Sequence, residues 1–301
     1  MHMKKLVCII NPIAGKGNGR TLADIIAKNL DSSVYDFSIR FTEHPGHAGE
    51  IAAEAAAQGV DVVVAVGGDG TVNEVASKLA GTQTALAIIP RGSGNGLAFH
   101  LGMPYNIRED VSIINKGVRI SIDTASLNGH PFFCTCGVGY DAKVAMDYSK
   151  AGTRGLMTYV RKTIEAWVDY KPKTYHITTD SADFEVKAFL ITCGNANQWG
   201  NNYHITPKAS LQDGLLDLTI IHPFNLIQAI PIPIQLLDSH IYHHSKVDIT
   251  RARFVHIERV LEDGEEPLQE AHFDGEAFMA DHVMDIEVIP NNLNVIIPSS
   301  L

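Results

Sequence analysis

The stretch VDVVVAVGGDGT, residues 60–71, decides the fold of the first part of the chain. Its apolar half is typical of a buried strand, its glycines predict a tight turn, and residues 72–79 continue with a helical pattern. Glycine allows the backbone to come close to a ligand, and the N-terminus of a helix offers free N–H groups to an anion. The stretch therefore predicts a strand, a phosphate-binding turn and a helix. The carboxylate of Asp69 lies in that turn, where it can hold a magnesium ion or steer a hydroxyl.

Two further glycine loops follow apolar strands early in the chain. NPIAG, residues 11–15, follows the apolar run 6–10, and PRGSGNG, residues 90–96, follows the run 85–89. A single loop of this kind is as consistent with a plain strand-to-helix turn as with a ligand site. Three of them together favour one ligand at the carboxyl edge of a parallel sheet.

The first 120 residues alternate strand and helix patterns, with helical spacing over 21–30, 48–57 and 106–115. This alternation is typical of a parallel sheet covered by helices on both faces. The texture changes after residue 118, where strand-like segments follow one another with few helices. Those segments are 118–127, 131–138, 174–179, 184–193, 215–222, 246–249 and 254–261.

Asn-Gly or Asp-Gly pairs at 128–129, 213–214 and 263–264 predict hairpins between such strands. The fold class is therefore an α/β N-terminal domain with a parallel sheet, followed by a mostly antiparallel β-sandwich C-terminal domain. We place the first domain at residues 1–120 and the second at 121–290.

Composition excludes several classes of protein. The net charge of −10 argues against nucleic acid as the main partner, since phosphate binding needs a basic surface. The four cysteines form no CxxC pair and no disulfide framework, which fits a reducing cytoplasm. No signal peptide pattern is visible, and no apolar run reaches the roughly 18 residues of a membrane-spanning helix. We therefore expect a cytoplasmic protein.

The motifs NPxAG, GGDGTxNE and PxGSGN, in this order and at these spacings, resemble the lipid kinase family that groups soluble bacterial diacylglycerol kinases with sphingosine kinases. GGDGT alone is shared with NAD kinases and loosely with phosphofructokinases, so the other motifs carry the distinction. The resemblance implies transfer of the γ-phosphoryl group of ATP to a lipid hydroxyl, with Mg²⁺ as cofactor. It also implies a lipid substrate at the membrane surface, transient membrane association and a peripheral location. It further implies that residues from about 291 to 301 belong to the first domain. It is consistent with either a monomer or a homodimer.

The resemblance further implies which residues surround the nucleotide. Thr42 rests on the short stretch TEHPGHA, residues 42–48, and an N-cap or turn threonine is as consistent with that stretch. No Walker A loop is present, so the glycine loops have to supply the phosphate cradle. The implied nucleotide-binding residues are Asn11, Thr42, Gly67, Gly68, Asp69, Gly70, Thr71, Glu74, Gly92, Ser93 and Asn95.

A late DGE triplet supplies candidates for a general base. Asp274 and Glu276 flank one glycine in the apolar stretch 272–278, and they face a common cleft if the glycine bends the strand. Crowded carboxylates raise each other's pKa, which favours general-base catalysis near neutral pH. A second DGE at 263–265 lies in a charged run with a proline and is the weaker candidate. The resemblance implies catalytic roles for Asp274, Glu276 and Asp69.

Two further stretches gain a role only from the resemblance. In KASLQDGLLD, residues 208–217, it implies a structural magnesium ion bound by the carboxylate of Asp213 and the carbonyls of Ser210 and Leu215. Without the resemblance, an ordinary Asp-Gly turn is the favoured explanation. In GVGYDA, residues 137–142, it implies that Asp141 lies near the head group of the acceptor, although a capping aspartate is an equal contender.

The segment 143–173 has a net charge of +4, from seven basic and three acidic residues. Met157, Val160, Ile164 and Trp167 fall on one helical face within it. A basic amphipathic helix of this kind is able to touch a membrane. The favoured alternative is that its apolar face packs on the sandwich.

One departure from the family affects the substrate. Diacylglycerol kinases of this type usually continue the second loop with Gly-Thr-x-Asn-Asp, whereas Gly96 follows Asn95 here. The loop is more similar to the sphingosine kinase form, so the acceptor is a diacylglycerol, a sphingoid base or another long-chain alcohol. Two rival functions are an NAD kinase, whose Thr-Gly-Ser-Thr-Ala-Tyr-like motif is missing, and a non-catalytic nucleotide-binding regulatory module, which is expected to have lost acids that are present here.

Overall fold

The structure, a computed structural model, describes residues 3–15, 19–152 and 156–299. The chain forms two compact units. The first unit contains Met1–Thr124 and Pro290–Leu301, and the second contains Ala125–Ile289. The predicted fold class is confirmed: an α/β unit with a parallel sheet is followed by a mostly antiparallel β-sandwich.

The first unit alternates strands and helices. Its sheet has the strand order β2 (Tyr35–Phe41), β1 (Lys4–Ile10), β3 (Val62–Gly67) and β4 (Ala85–Pro90), all parallel. The end of the last strand of the chain pairs with β4, also in parallel. All residues of β3 and β4 are buried, as the apolar runs predict. The elements are β1 Lys4–Ile10, α1 Gly19–Asn29, β2 Tyr35–Phe41, α2 His47–Ala57, β3 Val62–Gly67, α3 Asp69–Leu79, β4 Ala85–Pro90, α4 Gly96–His100, α5 Ile107–Lys116 and β5 Val118–Leu127.

The second unit contains strands of two sheets, with helices. The elements are β6 His130–Phe132, β7 Thr135–Gly139, α6 Tyr140–Ser149, α7 Leu156–Asp169, β8 Lys173–Thr179, β9 Asp183–Ala188, β10 Leu190–Gly194, β11 Leu216–Ile221, α8 Leu226–Ala229, α9 Ile232–Leu237, a 3-10 helix Ile241–His243, β12 Val247–Ala252, β13 Phe254–Arg259, β14 Gln269–Phe273, β15 Glu276–Ala280 and β16 Val283–Ile297. One sheet has the order β12-β11-β10-β7-β14-β15, and the other contains β16, β13, β8 and β9.

The core of the second unit lies between its two sheets. Val138, Ile191 and Leu218 of one sheet join Ile177 and Val255 of the other in a single buried cluster. Alternating residues of each strand point into this cluster, for example in β8, where buried and half-buried residues alternate. Burial of this shared apolar surface is what holds two sheets together.

Two of the predicted strands are each divided into two strands in the structure, so the prediction of single strands there is wrong. The run 131–138 is divided into β6 and β7, and the run 184–193 is divided into β9 and β10. In each case the two halves belong to different sheets. The apolar pattern continues through the crossing point because both halves face the same core, so hydrophobicity alone does not mark the break.

Hairpin predictions are confirmed at one of three positions. Asn128 and Gly129 have φ angles of 48° and 82° and connect the paired strands β5 and β6. The pair at 213–214 precedes β11 without joining paired strands, and the pair at 263–264 connects β13 to β14, which lie in different sheets. The second unit also contains more helix than predicted, in α6 to α9.

Candidate active site

The carboxyl ends of strands β1 to β4 meet at one edge of the parallel sheet. The pairing register aligns Ile10 with Phe41 and with Val66, which places the loops that follow side by side. The backbone continues this order, because Asn11 N–H donates to the carbonyl of Val66 at 3.1 Å and Thr42 N–H donates to that of Ile10 at 3.0 Å. Asn11 and Thr42 therefore lie beside the two main glycine loops, which are residues 67–71 (the first loop) and residues 90–96 (the second loop). This is the arrangement expected for one ligand site.

The two main glycine loops are in backbone contact. A Cβ atom added at Gly92 would lie 2.5 Å from the Cα atom of Gly68, and one added at Gly67 would lie 2.5 Å from Oγ1 of Thr71. Neither position has room for a side chain. Gly92 is required by the close packing of one loop on the other, and Gly67 is required by the Thr71 side chain of its own turn.

Asp69 joins these two loops. Its Oδ2 atom accepts a hydrogen bond from Asn95 N–H at 2.8 Å, and its Oδ1 atom accepts one from Gly96 N–H at 2.8 Å. Burial raises the pKa of Asp69 above its ordinary value, while the two backbone N–H groups act against this shift. The carboxylate thus fixes the second loop at the start of α3.

The second loop is also closed on itself. Asn95 adopts a left-handed backbone with φ of 57°. Its side-chain oxygen accepts from Gly92 N–H at 2.8 Å, and its side-chain amide donates to the Gly92 carbonyl at 2.9 Å. Ser93 lies exposed at the tip of the loop, where it is accessible to a ligand.

Glu74 and Asn11 connect the remaining parts of this edge. The two carboxylate oxygens of Glu74 accept from the N–H groups of Gly46 at 2.9 Å and Ala48 at 3.1 Å, at the start of α2. Glu74 thereby orders the segment that follows Thr42. The side-chain amide of Asn11 donates to Oγ1 of Thr71 at 3.4 Å.

Sequence reasoning missed a support behind the second loop. Asp110 is completely buried, and Oδ2 lies 3.9 Å from Nη2 of Arg91 in the loop. Within the described residues, neither oxygen of Asp110 has a hydrogen-bond partner. Burial raises the pKa of Asp110 to about 7, against the opposing effect of Arg91. The Tyr105 hydroxyl donates to the Gly92 carbonyl at 3.3 Å, and the Arg91 guanidinium lies 5.6 Å from the centroid of the Tyr105 ring.

In the second unit, the favoured DGE triplet forms a two-residue hairpin turn between β14 and β15. Phe273 pairs with Glu276, and Asp274 and Gly275 have φ angles of 47° and 83°. The glycine therefore closes a turn and does not bend a continuous strand as expected. Glu276 is exposed. The other triplet, at 263–265, lies in a run of exposed residues.

The carboxylate of Asp274 is held by the backbone of the neighbouring β6–β7 bend. Oδ2 accepts from Phe133 N–H at 2.9 Å, and Oδ1 accepts from Cys134 N–H at 2.7 Å and Thr135 N–H at 3.3 Å. The backbone N–H of Asp274 donates to the Thr135 carbonyl at 2.8 Å. This network explains the break between β6 and β7 and fixes the hairpin on β7.

Asp141 lies at the start of α6 in a buried polar cluster. Oδ2 accepts from the Thr192 hydroxyl at 2.8 Å and lies 2.9 Å from Nε2 of His272, while Oδ1 accepts from Ala142 N–H at 2.8 Å. Only 6% of Asp141 and 4% of His272 is exposed, so this carboxylate does not face solvent. Sequence reasoning missed His272, whose only signal is its position two residues before Asp274, and Thr192, which gives no signal.

The predicted magnesium ligands lie at the start of β11. Oδ1 of Asp213 accepts from Leu215 N–H at 3.1 Å, and Oδ2 lies 3.6 Å from Nη1 of Arg251. Ser210 accepts from Gln212 N–H through its hydroxyl at 3.3 Å. Because the Arg251 guanidinium already balances the charge of this carboxylate, a magnesium ion at Asp213 has to compete with it. The ligand set therefore stays a prediction.

Arg251 also faces a second carboxylate. Its Nε atom lies 3.4 Å from Oδ1 of Asp217, which is buried, and its Nη2 atom donates to the Lys208 carbonyl at 2.8 Å. Burial raises the pKa of Asp217 to about 6, and Arg251 acts against this shift. The arginine thus organises the stretch 208–217 within the second unit.

The basic amphipathic segment 143–173 contains most of helix α6 and all of helix α7. Met157, Val160 and Ile164 are exposed, and Trp167 packs against Phe189 and Phe224. The favoured expectation that the whole apolar face packs on the sandwich is therefore wrong for three of its four residues. Arg154 lies outside the described residues. Among the described helices, none is long and apolar enough to cross a membrane.

Comparisons with known proteins agree with these features. Residues 5–127 match the family described as "Diacylglycerol kinase catalytic domain", and residues 134–297 match that described as "YegS C-terminal NAD kinase beta sandwich-like domain". The diacylglycerol kinase of Bacillus subtilis is 31% identical over 266 residues, which cover 85% of this chain and 86% of that protein. A diacylglycerol kinase of Staphylococcus saprophyticus is 30% identical over 230 residues, which cover 75% of each chain.

Solved structures extend the likeness over nearly the whole chain. A diacylglycerol kinase from Bacillus anthracis superposes with a TM-score of 0.73 at 25% identity, covering 99% of this chain and 98% of that one. A candidate diacylglycerol kinase from the same organism gives a TM-score of 0.82 at 28% identity, covering 99% and 96%. The chain therefore belongs to the lipid kinase family that comprises the diacylglycerol kinases and the YegS-like kinases.

Proposed function

We propose that this protein transfers the γ-phosphoryl group of ATP to the hydroxyl of a membrane lipid. The observation that carries the proposal is the pair of glycine loops that Asp69 locks together at the carboxyl edge of the parallel sheet. Phosphoryl transfer depends on positioning and on stabilisation of charge. Loops fixed before the nucleotide arrives lose little entropy when they bind it.

The triphosphate binds over the loops of the first unit. Helix α3 begins at Asp69, directly after Gly68, so its first turn and positive dipole end face the loop region. Gly68 and Gly92, which pack closely on each other, have no side chains of their own to keep the phosphates away from the loop backbone. Ser93, exposed at the tip of the second loop, is the hydroxyl available to a phosphate oxygen.

Mg²⁺ bound to ATP would neutralise part of the negative charge of the β- and γ-phosphates. Asp69 and Asp110 are two acids that interact with the second loop. Each carboxylate oxygen of Asp69 accepts a hydrogen bond from one backbone N–H group of the second loop. The carboxyl group of Asp110 lies beside the Arg91 guanidinium behind that loop. Their role in the proposal is to hold the phosphate-binding backbone in place.

The acceptor hydroxyl loses its proton to a carboxylate of the β14–β15 hairpin. A new bond forms between the hydroxyl oxygen and the γ-phosphorus while the bond from the γ-phosphorus to ADP breaks, and the proton passes to Asp274 or Glu276. Asp274 is held in a fixed orientation by backbone N–H groups, and Glu276 faces solvent on the other side of the turn. Asp274 therefore meets the need for a positioned base, and Glu276 is the alternative because it is exposed to an incoming acceptor.

The acceptor is a diacylglycerol, a sphingoid base or another long-chain alcohol. Gly96 stands where diacylglycerol kinases of this type carry an acid, and its N–H group binds Asp69. Since such lipids reside in bilayers, we also propose that the protein visits the membrane surface from the cytoplasm.

The acceptor is found by offering labelled ATP with Mg²⁺ to the protein in detergent micelles. Diacylglycerol, a sphingoid base and a monoacylglycerol are supplied separately, and NAD serves as a soluble control. We expect label in one of the three lipids. Label in NAD alone identifies an NAD kinase and contradicts the proposal. Bound ATP without transfer to any acceptor supports a regulatory module instead.

A further inference from the structure

We propose that the second unit carries a membrane-insertion surface, formed by helices α8 and α9 and the outward face of helix α7. Its partner is the interface of an anionic lipid bilayer. The choice of partner rests on the proposed function, because a kinase that phosphorylates a membrane lipid has to reach it at the bilayer.

Helices α8 and α9 expose large aliphatic side chains. Leu236 is 7% exposed and packs into the aromatic-rich cluster of the second unit, so the inner side of this segment belongs to the core. A surface helix of a globular protein normally presents polar residues on its other side. Here the outer side is apolar as well: Leu226 is 72% exposed, Ile227 78%, Ile230 71%, Ile234 64% and Leu237 49%. Patches of this kind mark sites of interaction with proteins or membranes.

The segment is suited to an apolar medium by its lack of charge and its hydrogen bonding. Residues 223–237 contain no Asp, Glu, Lys or Arg. Asn225 and Gln228 bond reciprocally in a capping box, which satisfies polar groups at the start of α8. The backbone N–H groups of Ala229 and Gln235 donate to carbonyls four residues earlier, at 3.0 Å and 2.9 Å. A backbone that is hydrogen-bonded within its own segment can enter the interface without a large desolvation penalty.

Helix α7 extends this surface. The rings of Trp167 in α7 and Phe224, just before α8, pack with centroids 5.2 Å apart. The two parts are therefore neighbours within one unit. On the outward side of α7, Met157 is 80% exposed and Ile164 66% exposed.

Charge selects a bilayer over a second copy of the chain. The segment 143–173 carries seven basic and three acidic residues in a chain whose net charge is −10. Lys150, Arg161 and Lys171 are exposed within it. A two-fold dimer through this surface would bring the basic segment against itself, whereas anionic headgroups attract it. Insertion of apolar side chains flanked by basic residues is a common mode of interfacial binding.

The test measures binding of the full chain to vesicles of phosphatidylcholine alone and of phosphatidylcholine with equimolar phosphatidylglycerol. The surface variant is Ile227→Gln with Ile230→Gln. Its matched control is Val260→Gln with Leu268→Gln, since these two side chains are exposed apolar residues of the same unit in a different segment. We expect the wild type and the control to bind the anionic vesicles, and the surface variant to lose about tenfold or more in partition coefficient.

A second readout separates this proposal from the proposed function. Transfer of phosphate to a short-chain diacylglycerol, dissolved as monomers, needs no bilayer, so the surface variant is expected to keep that activity. Vesicle binding of the surface variant within about twofold of the wild type overturns the surface. The proposal is also overturned if the wild type is a dimer, the surface variant is a monomer, and the two bind vesicles equally well. If the wild type binds vesicles yet phosphorylates no lipid, the surface stands and the proposed function fails.

Discussion

The side chain of Asp69 joins the two glycine loops, because it accepts hydrogen bonds from residues that lie 26 and 27 positions later in the sequence. An amide in its place aims an NH₂ group at one of the two backbone N–H groups, so a donor faces a donor. Asp69→Asn is expected to lower the free energy of unfolding by about 1–3 kcal/mol. It is also expected to weaken ATP binding, because the second loop loses its anchor. Urea unfolding and calorimetric titration with ATP measure the two effects.

Asp61 provides a matched control for Asp69. It lies at the opposite, amino end of the same sheet, where Oδ2 accepts from Lys5 N–H at 2.8 Å and the residue is exposed. Asp61→Asn is expected to leave ATP affinity unchanged. If Asp69→Asn also binds ATP with wild-type affinity, the loops do not form the nucleotide site.

Asp110 predicts a pH dependence of stability. Burial raises the pKa of Asp110 to about 7, from an ordinary value of 3.8. Between these values the folded protein holds the proton more tightly than the unfolded chain does. The contribution of this carboxyl to stability therefore falls as pH rises through that window. It is most unfavourable above the folded pKa, where the negative charge of the buried carboxylate is compensated in part by Arg91.

Asp110→Asn removes this ionisation while it keeps the shape of the side chain. The free energy of unfolding of the variant, relative to the wild type, is expected to rise by about 2–4 kcal/mol from acidic to mildly alkaline pH. Urea unfolding at a series of pH values measures this difference. A difference that is constant with pH would mean that Asp110 titrates normally in the folded protein.

At the scale of elements, the contact between the two glycine loops sets the geometry of the site. Gly92→Ala places a Cβ atom 2.5 Å from Cα of Gly68, so one loop has to move. We expect this variant to lose most of its ATP affinity. Gly152→Ala is the control, because no atom lies within 4 Å of a Cβ built there. Equal ATP affinities in the two variants would show that the loop contact is not needed.

His272, Asp141 and Thr192 connect β14, α6 and β10 inside the second unit. His272→Leu leaves the buried carboxylate with one partner fewer, and the expected loss of stability is about 2–3 kcal/mol. His272→Gln retains a donor and is expected to restore part of that loss. Thermal or urea unfolding of both variants measures the contribution of the cluster. Equal stability of the leucine variant and the wild type would contradict it.

The parallel sheet and its loops could be predicted because strand, turn and helix signals coincide in short stretches such as residues 60–71. The division of 184–193 between two sheets could not, since its apolar pattern runs through the crossing. His272 and Asp110 were beyond sequence reasoning for a different reason. Each acts through a partner in another element: His272 lies 131 residues from Asp141, and Asp110 faces Arg91 of the second loop.

At the scale of the whole molecule, charge and apolar exposure are unevenly distributed. The chain is acidic overall, yet the segment 143–173 is basic and the neighbouring segment 223–237 carries no charged side chain. Membership of the lipid kinase family and this distribution are independent observations. Together they support the proposal that this kinase takes a soluble nucleotide and an acceptor held in a bilayer.

The most direct test of this account is the transfer of labelled γ-phosphate from ATP into an organic-soluble product by three proteins. They are the wild type, Asp274→Asn and Glu276→Gln, with ATP affinity measured for each. We predict labelled lipid with the wild type and a severe loss of turnover in at least one variant, with ATP binding retained. The absence of labelled lipid with the wild type, or wild-type turnover in both variants, would contradict the account.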